Sequence, residues 1–154
     1  MREEVVSIIY QSPKILLGMK KNKFGRGKYN GFGGGLENGE TLEECVIRET
    51  FEEANITLVD PEKLGKILFE FQTGEQDHLV HFFRSHRYSG DLQESKEMIP
   101  KWFNDTEIPY DQMWADDKYW LPMLLVGKKF EGNFIFDKNF NIVRYTLKEV
   151  SSLK

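Results

Sequence analysis

Arg48-Glu49-Thr50-Phe51-Glu52-Glu53 places three carboxylates at helical spacing. Glu49 and Glu53 are i and i+4, and Glu49 and Glu52 are i and i+3, so on a helix each pair has Cβ atoms about 5–6 Å apart. At about 100° per residue, Leu42, Cys45, Val46, Glu49 and Glu53 share one stripe. Its first turns are apolar and its last are acidic. Acids on the inward part of a helix need a compensating cation. Arg48 lies on a different stripe with Glu44 and Glu52, where it would orient Glu52 and leave Glu49 and Glu53 without a partner. Hard oxygen donors with no His or Cys beside them suit Mg²⁺ or Mn²⁺. The competing reading is an acidic helix face turned to solvent. An EF-hand is excluded, because its D-x-[DN]-x-[DN]-G spacing is absent.

Five glycines, at 31, 33, 34, 35 and 39, precede these acids. Their density predicts tight or left-handed turns rather than a regular element. Gly33, Gly34 and Gly35 would let backbone groups approach a phosphate or a metal. No Gly-Lys-Ser/Thr follows, so this is not a Walker loop, and the helix begins too late for a dinucleotide fingerprint.

The elements that must carry these groups follow from local pattern. Val5–Tyr10 and Ile15–Met19 read as a hairpin about Gln11-Ser12-Pro13-Lys14. Lys20–Lys28 is a basic loop. Thr41 and Glu44 form a capping box for a helix over 42–54, with Asn55 suited to a left-handed end. Ile67–Gln72 and His78–Phe83 alternate as strands around a turn at 74–77. Ile99–Phe103 is a short strand whose Pro100 demands an edge or a bulge. Asp116 or Asp117 caps a second helix to about Val126, and Phe130–Phe136 and Ile142–Leu147 close the chain as a hairpin. The class is α+β, a mixed sheet with two helices.

Composition bounds the function. The 154 residues suit one domain with a sizeable core. With one cysteine, Cys45, there is no internal disulfide framework and no cysteine zinc knuckle. No apolar run approaches the roughly 20 residues of a membrane span, and the start of the chain lacks a signal-peptide pattern. A reduced, cytoplasmic protein is expected. The net charge of −4 offers no footprint for a nucleic-acid polymer, leaving small anions whose charge a local cation reverses.

Gly34, Glu40, Arg48, Glu49, Glu52, Glu53 and Ile56 fall on the fixed positions of the Nudix box, G-x5-E-x7-R-E-U-x-E-E-x-G-U, where U is bulky and apolar. Two positions depart from it: Thr50 replaces an apolar residue and Asn55 a glycine. The resemblance extends through Leu16–Lys21, Asn30–Gly34, Leu68–Phe71, Glu94–Met98, Met113–Trp120 and Tyr145–Val150 to the MutT-homologue branch of the family. It implies a Nudix α/β/α sandwich, with a mixed, partly barrel-like sheet between helices, formed by residues 1–154 as a single domain.

The resemblance also implies an activity: Mg²⁺-dependent hydrolysis of oxidised or otherwise modified purine nucleoside triphosphates, such as 8-oxo-dGTP or 2-hydroxy-dATP, to the monophosphate and pyrophosphate. That is sanitation of the nucleotide pool in support of DNA repair, by a monomer. It implies a metal site of Glu49, Glu52, Glu53 and Glu97 with the Gly33 carbonyl, and an Arg48 that orients carboxylates. Lys20, Gly34 and Gly35 would lie along the phosphates. Asn30, Phe32, Phe69, Trp114 and Ala115, with Asp116 and Asp117 at the end, would form the base pocket. Trp114 with Phe24 or Phe69 offers ring faces to a purine, and Asn30 offers a donor and acceptors. Two adjacent aspartates sharing one proton would present a donor and an acceptor together. Val5, Gly35 and His78 stand where better-known members carry Thr, Lys and often Met, which bears on base preference. The rival readings are a Nudix hydrolase of ADP-ribose or a dinucleoside polyphosphate, and a Nudix module that binds without catalysis.

Overall fold

The computed structural model describes residues 1–154. Its elements in chain order are β1 (Arg2–Gln11), β2 (Lys14–Lys20), β3 (Tyr29–Asn30), β4 (Phe32–Gly35), α1 (Leu42–Ala54), β5 (Thr57–Val59), β6 (Glu62–Phe71), β7 (His78–Ser85), β8 (Arg87–Ser89), β9 (Met98–Asn104), a 3-10 turn at Tyr110–Gln112, α2 (Asp117–Leu125), β10 (Phe130–Phe136) and β11 (Ile142–Glu149). The large sheet runs β11-β10-β6-β7-β1-β2-β3, with β4 beside β1 and β9 beside β2. It is mixed: β1 and β7 are parallel, as are β10 and β6, and the other neighbours are antiparallel. The expected α+β Nudix architecture is present, with no closed barrel.

Period-two alternation divides the core between the two faces. On β1, Val5 and Ile9 join Leu16, Phe32, Val46 and Ile56 beneath α1. Ile8 instead joins Ile67, Phe82, Trp120 and Phe134 on the α2 side. Full burial of each such side chain contributes roughly 1.5–3 kcal/mol. Tyr119, Phe134 and Tyr145 extend the α2 layer as a stack, with Phe134 and Tyr145 centroids 5.0 Å apart.

Helix α1 ends where its sequence requires. Thr41 accepts from the Glu44 N–H, and the Glu44 carboxylate accepts from the Thr41 N–H. Asn55 sits at φ 62° and closes the helix with its N–H on the Phe51 carbonyl. Pro100 lies on edge strand β9, opposite Gly18.

Three local expectations are corrected. Phe32–Gly35 is a strand, and of the five glycines only Gly39 has positive φ. These glycines serve close approach instead. A Cβ on Gly33 would stand 1.8 Å from the Val5 carbonyl oxygen, and one on Gly34 would stand 2.5 Å from the Glu49 carboxylate. Strand β6 begins at Glu62, ahead of its alternating run, because Leu64 already enters the core. The short β5–β8 ladder has no strong local pattern and was not expected.

Candidate active site

The acids of α1 do not share one environment. Glu53 points inward, with only 4% of the residue exposed, and its Oε1 accepts the Gly33 N–H at 2.9 Å. Burial raises its pKa to about 8, against the Gly33 hydrogen bond and the Lys20 charge. Glu49 lies against Gly34, and burial raises its pKa too, with Arg48 opposing. Glu52 is more than half exposed. Glu97 approaches from the loop before β9. Its burial works upward, but the Lys20 ammonium at 3.2 Å, with Glu53 and Lys23 adding to it, outweighs this and holds the carboxyl below its usual value. The same ammonium lies 4.0 Å from Glu53, so one lysine bridges two acids.

Arg48 behaves differently from its expected stripe pairing. Its guanidinium donates to Glu40 at 2.6 and 3.0 Å, to Glu49 at 2.9 Å and to the Gly35 carbonyl at 3.2 Å, with a longer contact to Glu52 at 3.3 Å. The side chain is long enough to leave its helical stripe and tie α1 to the preceding loop. Glu49 therefore has a cation after all. The hydrogen bond from Arg48 holds Glu40 down at about 2. Glu37 adds a 3.6 Å contact to the same guanidinium.

Thr50 is fully buried, and its hydroxyl donates to the Val46 carbonyl at 2.7 Å and lies 2.8 Å from the Ser7 hydroxyl. The departure from an apolar residue is thus compensated by a serine on β1. The buried polar group is satisfied.

The second group of acids begins α2. Asp116 and Asp117 are 4% and 6% exposed, and no lysine or arginine pairs with either. Asp116 Oδ2 accepts the Trp120 indole N–H at 2.7 Å. It does not cap the helix with its side chain, contrary to one sequence expectation. Burial raises both carboxyls. Asp117 goes well above the usual carboxylate range, because the Asp116 charge adds to its burial. Two adjacent acids in a dry site disfavour ionising together.

A cavity of about 210 Å³ joins the two groups. Its wall includes Lys20, Gly33, Gly34 and Glu53 from the α1 side, and Asp116, Asp117 and Trp120 from the α2 side. Asn30, Phe24, Phe69 and Trp114 line it as well, as do Glu4, Phe71 and His78. Phe24 stacks on Trp114 with centroids 4.9 Å apart and rings inclined 26°, and Lys28 Nζ stands 5.0 Å from the same indole. Asn30 spends its Nδ2 on the Lys28 carbonyl, which leaves its amide oxygen free of that bond.

Three expected pocket residues lie elsewhere. Phe32 is fully buried in the α1 core, because strand alternation turns it there. Ala115 packs against the α2 core rather than the cavity. Gly35 faces the Arg2 guanidinium and gives its carbonyl to Arg48. Glu4 and Phe71 were missed. Their signal was available, since both lie on sheet faces that continue rows of core residues.

The donor chemistry fits a hard divalent cation. Glu49, Glu53 and Glu97 supply oxygen only, and Glu53 is a buried acid compensated at a distance. The carboxylates do not converge into a three-ligand cluster with the side chains as they stand. Arg48 and Lys20 hold Glu49 and Glu97 in ion pairs, so a cation would have to compete with them.

Residues 1–124 match the NUDIX domain family. Over 147 residues the chain is 46% identical to the oxidized purine nucleoside triphosphate hydrolase of Danio rerio, covering 95% of this chain and 94% of that one. It is 43% identical over 145 residues to the enzyme of the same name from Mus musculus, covering 94% and 93%. Among solved structures, a mutator MutT protein from Bacillus halodurans superposes with a TM-score of 0.86 at 26% identity, over 96% of this chain and 97% of that one. No helix of the chain is long and apolar enough to cross a membrane. With the box on α1, the fold and these similarities together, the chain belongs to the Nudix family of hydrolases.

Proposed function

We propose that this chain hydrolyses oxidised or otherwise modified purine nucleoside triphosphates to the monophosphate and pyrophosphate, as a cytoplasmic monomer that sanitises the nucleotide pool. The observation that carries the reading is the shared cavity. Aromatic faces and two adjacent buried aspartates line one part of its wall, and Glu53, Lys20 and Gly33 line another. A purine needs the first set of groups and a polyphosphate chain the second. The similarity to two oxidized purine nucleoside triphosphate hydrolases supports the same substrate class.

Trp114 and Phe69 present ring faces on which a flat base packs. Asp116 and Asp117 read the base edge with one donor and one acceptor, and the proton can move between them to suit different purines. Glu49, Glu52, Glu53 and Glu97, with the Gly33 carbonyl, would hold Mg²⁺ or Mn²⁺. Bound there, such an ion would supply charge neutralisation at phosphate oxygens and a more acidic water. Arg48 fixes Glu49 and ties the helix to the glycine strand. Lys20 stands ready to exchange carboxylate for phosphate. Gly33 and Gly34 allow the phosphate chain to lie against backbone. A glutamate on this wall takes the proton of the attacking water.

The test is turnover of 8-oxo-dGTP, 2-hydroxy-dATP, O6-methyl-dGTP, dGTP and ADP-ribose with Mg²⁺, with products separated. Modified purine triphosphates giving monophosphate and pyrophosphate are expected to dominate. Turnover confined to ADP-ribose, or tight nucleotide binding without metal-dependent turnover of any of them, overturns the proposal.

A further inference from the structure

Glu4 and His78 meet in the cavity wall on the sheet face that α2 covers. Arg2 lies opposite His78 in the β1–β7 ladder and Glu4 opposite Val80, so Glu4 and His78 are diagonal neighbours on one face. Glu4 Oε1 stands 2.5 Å from His78 Nδ1, and Arg2 Nε stands 3.3 Å from the second Glu4 oxygen. The arginine anchors the acid and the acid anchors the ring. The imidazole is edge-on to Phe71, with centroids 5.5 Å apart, and is three-quarters buried.

The neighbouring wall is Val80, Phe69, Phe71 and Phe136. An imidazole hydrogen-bonded to a carboxyl among aromatic and aliphatic groups is out of place unless it serves a ligand. Glu4 occupies Nδ1, so Nε2 is the one polar atom of the ring left for a bound molecule. A carboxyl oxygen at Nδ1 favours the tautomer that carries its hydrogen there, and in that tautomer Nε2 is an acceptor. The carboxylate behind the ring disfavours a phosphate there. A flat, uncharged heterocycle with an N–H or O–H on its edge meets both demands.

We propose that the Glu4–His78 pair is a specificity-determining element that reads a hydrogen on the edge of the bound purine, in addition to Asp116 and Asp117. His78 makes the contact, and Glu4 is a positioning residue that sets its tautomer. The inference rests on the substrate class proposed above. A base that leaves Nε2 unpaired beneath it binds more weakly, because a buried polar atom loses water without gaining a partner.

Equilibrium binding of nucleoside monophosphates without metal tests this apart from catalysis. The probes are 8-oxo-dGMP, 2-hydroxy-dAMP, O6-methyl-dGMP, dGMP and dAMP, with deoxyribose 5-phosphate as the base-free control. His78→Leu is expected to change the ratio of affinities among the bases about tenfold, the worth of one hydrogen bond. The base-free control should stay unchanged. Glu4→Gln should shift the same ratios by a smaller factor. Nitrogen-15 chemical shifts of the His78 ring should report a proton on Nδ1 in the wild type and a redistribution in Glu4→Gln, which a merely structural role would not produce. Ratios that stay constant in both variants, or a ring protonated on Nε2 alone, overturn this inference and leave the proposed activity standing. If the wild type binds none of the nucleotides and hydrolyses no purine triphosphate, both fall together.

Discussion

The acids of α1 and those that open α2 are solved by different physics. Around α1 the compensation is mainly cationic: Arg48 serves Glu40 and Glu49, and Lys20 serves Glu97, while Glu53, 4.0 Å from the same lysine, is the exception whose burial raises its pKa to about 8. At α2 no basic side chain pairs with Asp116 or Asp117; Asp116 takes an indole N–H, and burial raises both carboxyls, Asp117 furthest. Under the proposed function, exchangeable cations suit a wall that takes metal and phosphate, and acids whose ionisation is disfavoured suit one that reads a neutral base by donor and acceptor.

The sharpest way to break this contrast is Glu53→Gln. The amide can still accept the Gly33 N–H, so the fold should survive, while the side chain can no longer ionise to a carboxylate that a metal would take. Turnover of 8-oxo-dGTP, followed by pyrophosphate release, is expected to fall by about 10²–10⁴. Activity close to wild type would mean that the charge of Glu53 is not used.

Asp116→Ala probes the other region. It leaves the Trp120 indole N–H without its acceptor in a buried site, at a cost of about 1–3 kcal/mol in a denaturant titration. A loss below a few tenths would show that the indole finds another partner.

Asp117 adds a pH dependence of known sign. Its native pKa is raised above the unfolded value, so the folded state keeps a proton that the unfolded chain has released. Stability falls as pH rises from the ordinary aspartate range towards the raised native value, and below that range the group contributes nothing. Asp117→Asn has no proton to lose. Its thermal midpoint relative to wild type should climb with pH across this window and then level off. A constant gap would place an ionised Asp117 in the folded protein.

The smallest effect is expected on the buried face of α1. Thr50→Val strands the Ser7 hydroxyl and should cost about 1 kcal/mol, while adding Ser7→Ala should recover most of it. Additive losses in the double variant would mean that the two hydroxyls do not act as a pair.

Legibility follows the range of the interactions. The capping box of α1, its left-handed Asn55 and the hairpin at Ser12-Pro13 were readable, because each depends on residues a few positions apart. The inward placement of Glu53 was readable for the same reason: helical phase alone turns it with Cys45 and Val46. The second partner of Arg48 was not, because Glu40 lies outside the helix on a loop whose path the helix does not set. The glycine segment was misread because density suggests turns, whereas the cause is the nearness of Val5 and of Glu49, which come from other elements.

From sequence alone came the two helices, most strands, the acidic stripe and the family, since these rest on local periodicity and on a fixed spacing of residue types. Tertiary structure decided which acids lie beside cations and which are buried without one. It also removed Phe32 from the cavity and brought Glu4 beside His78. Those outcomes depend on strand register and on burial, which arise only when distant segments pack and exclude water.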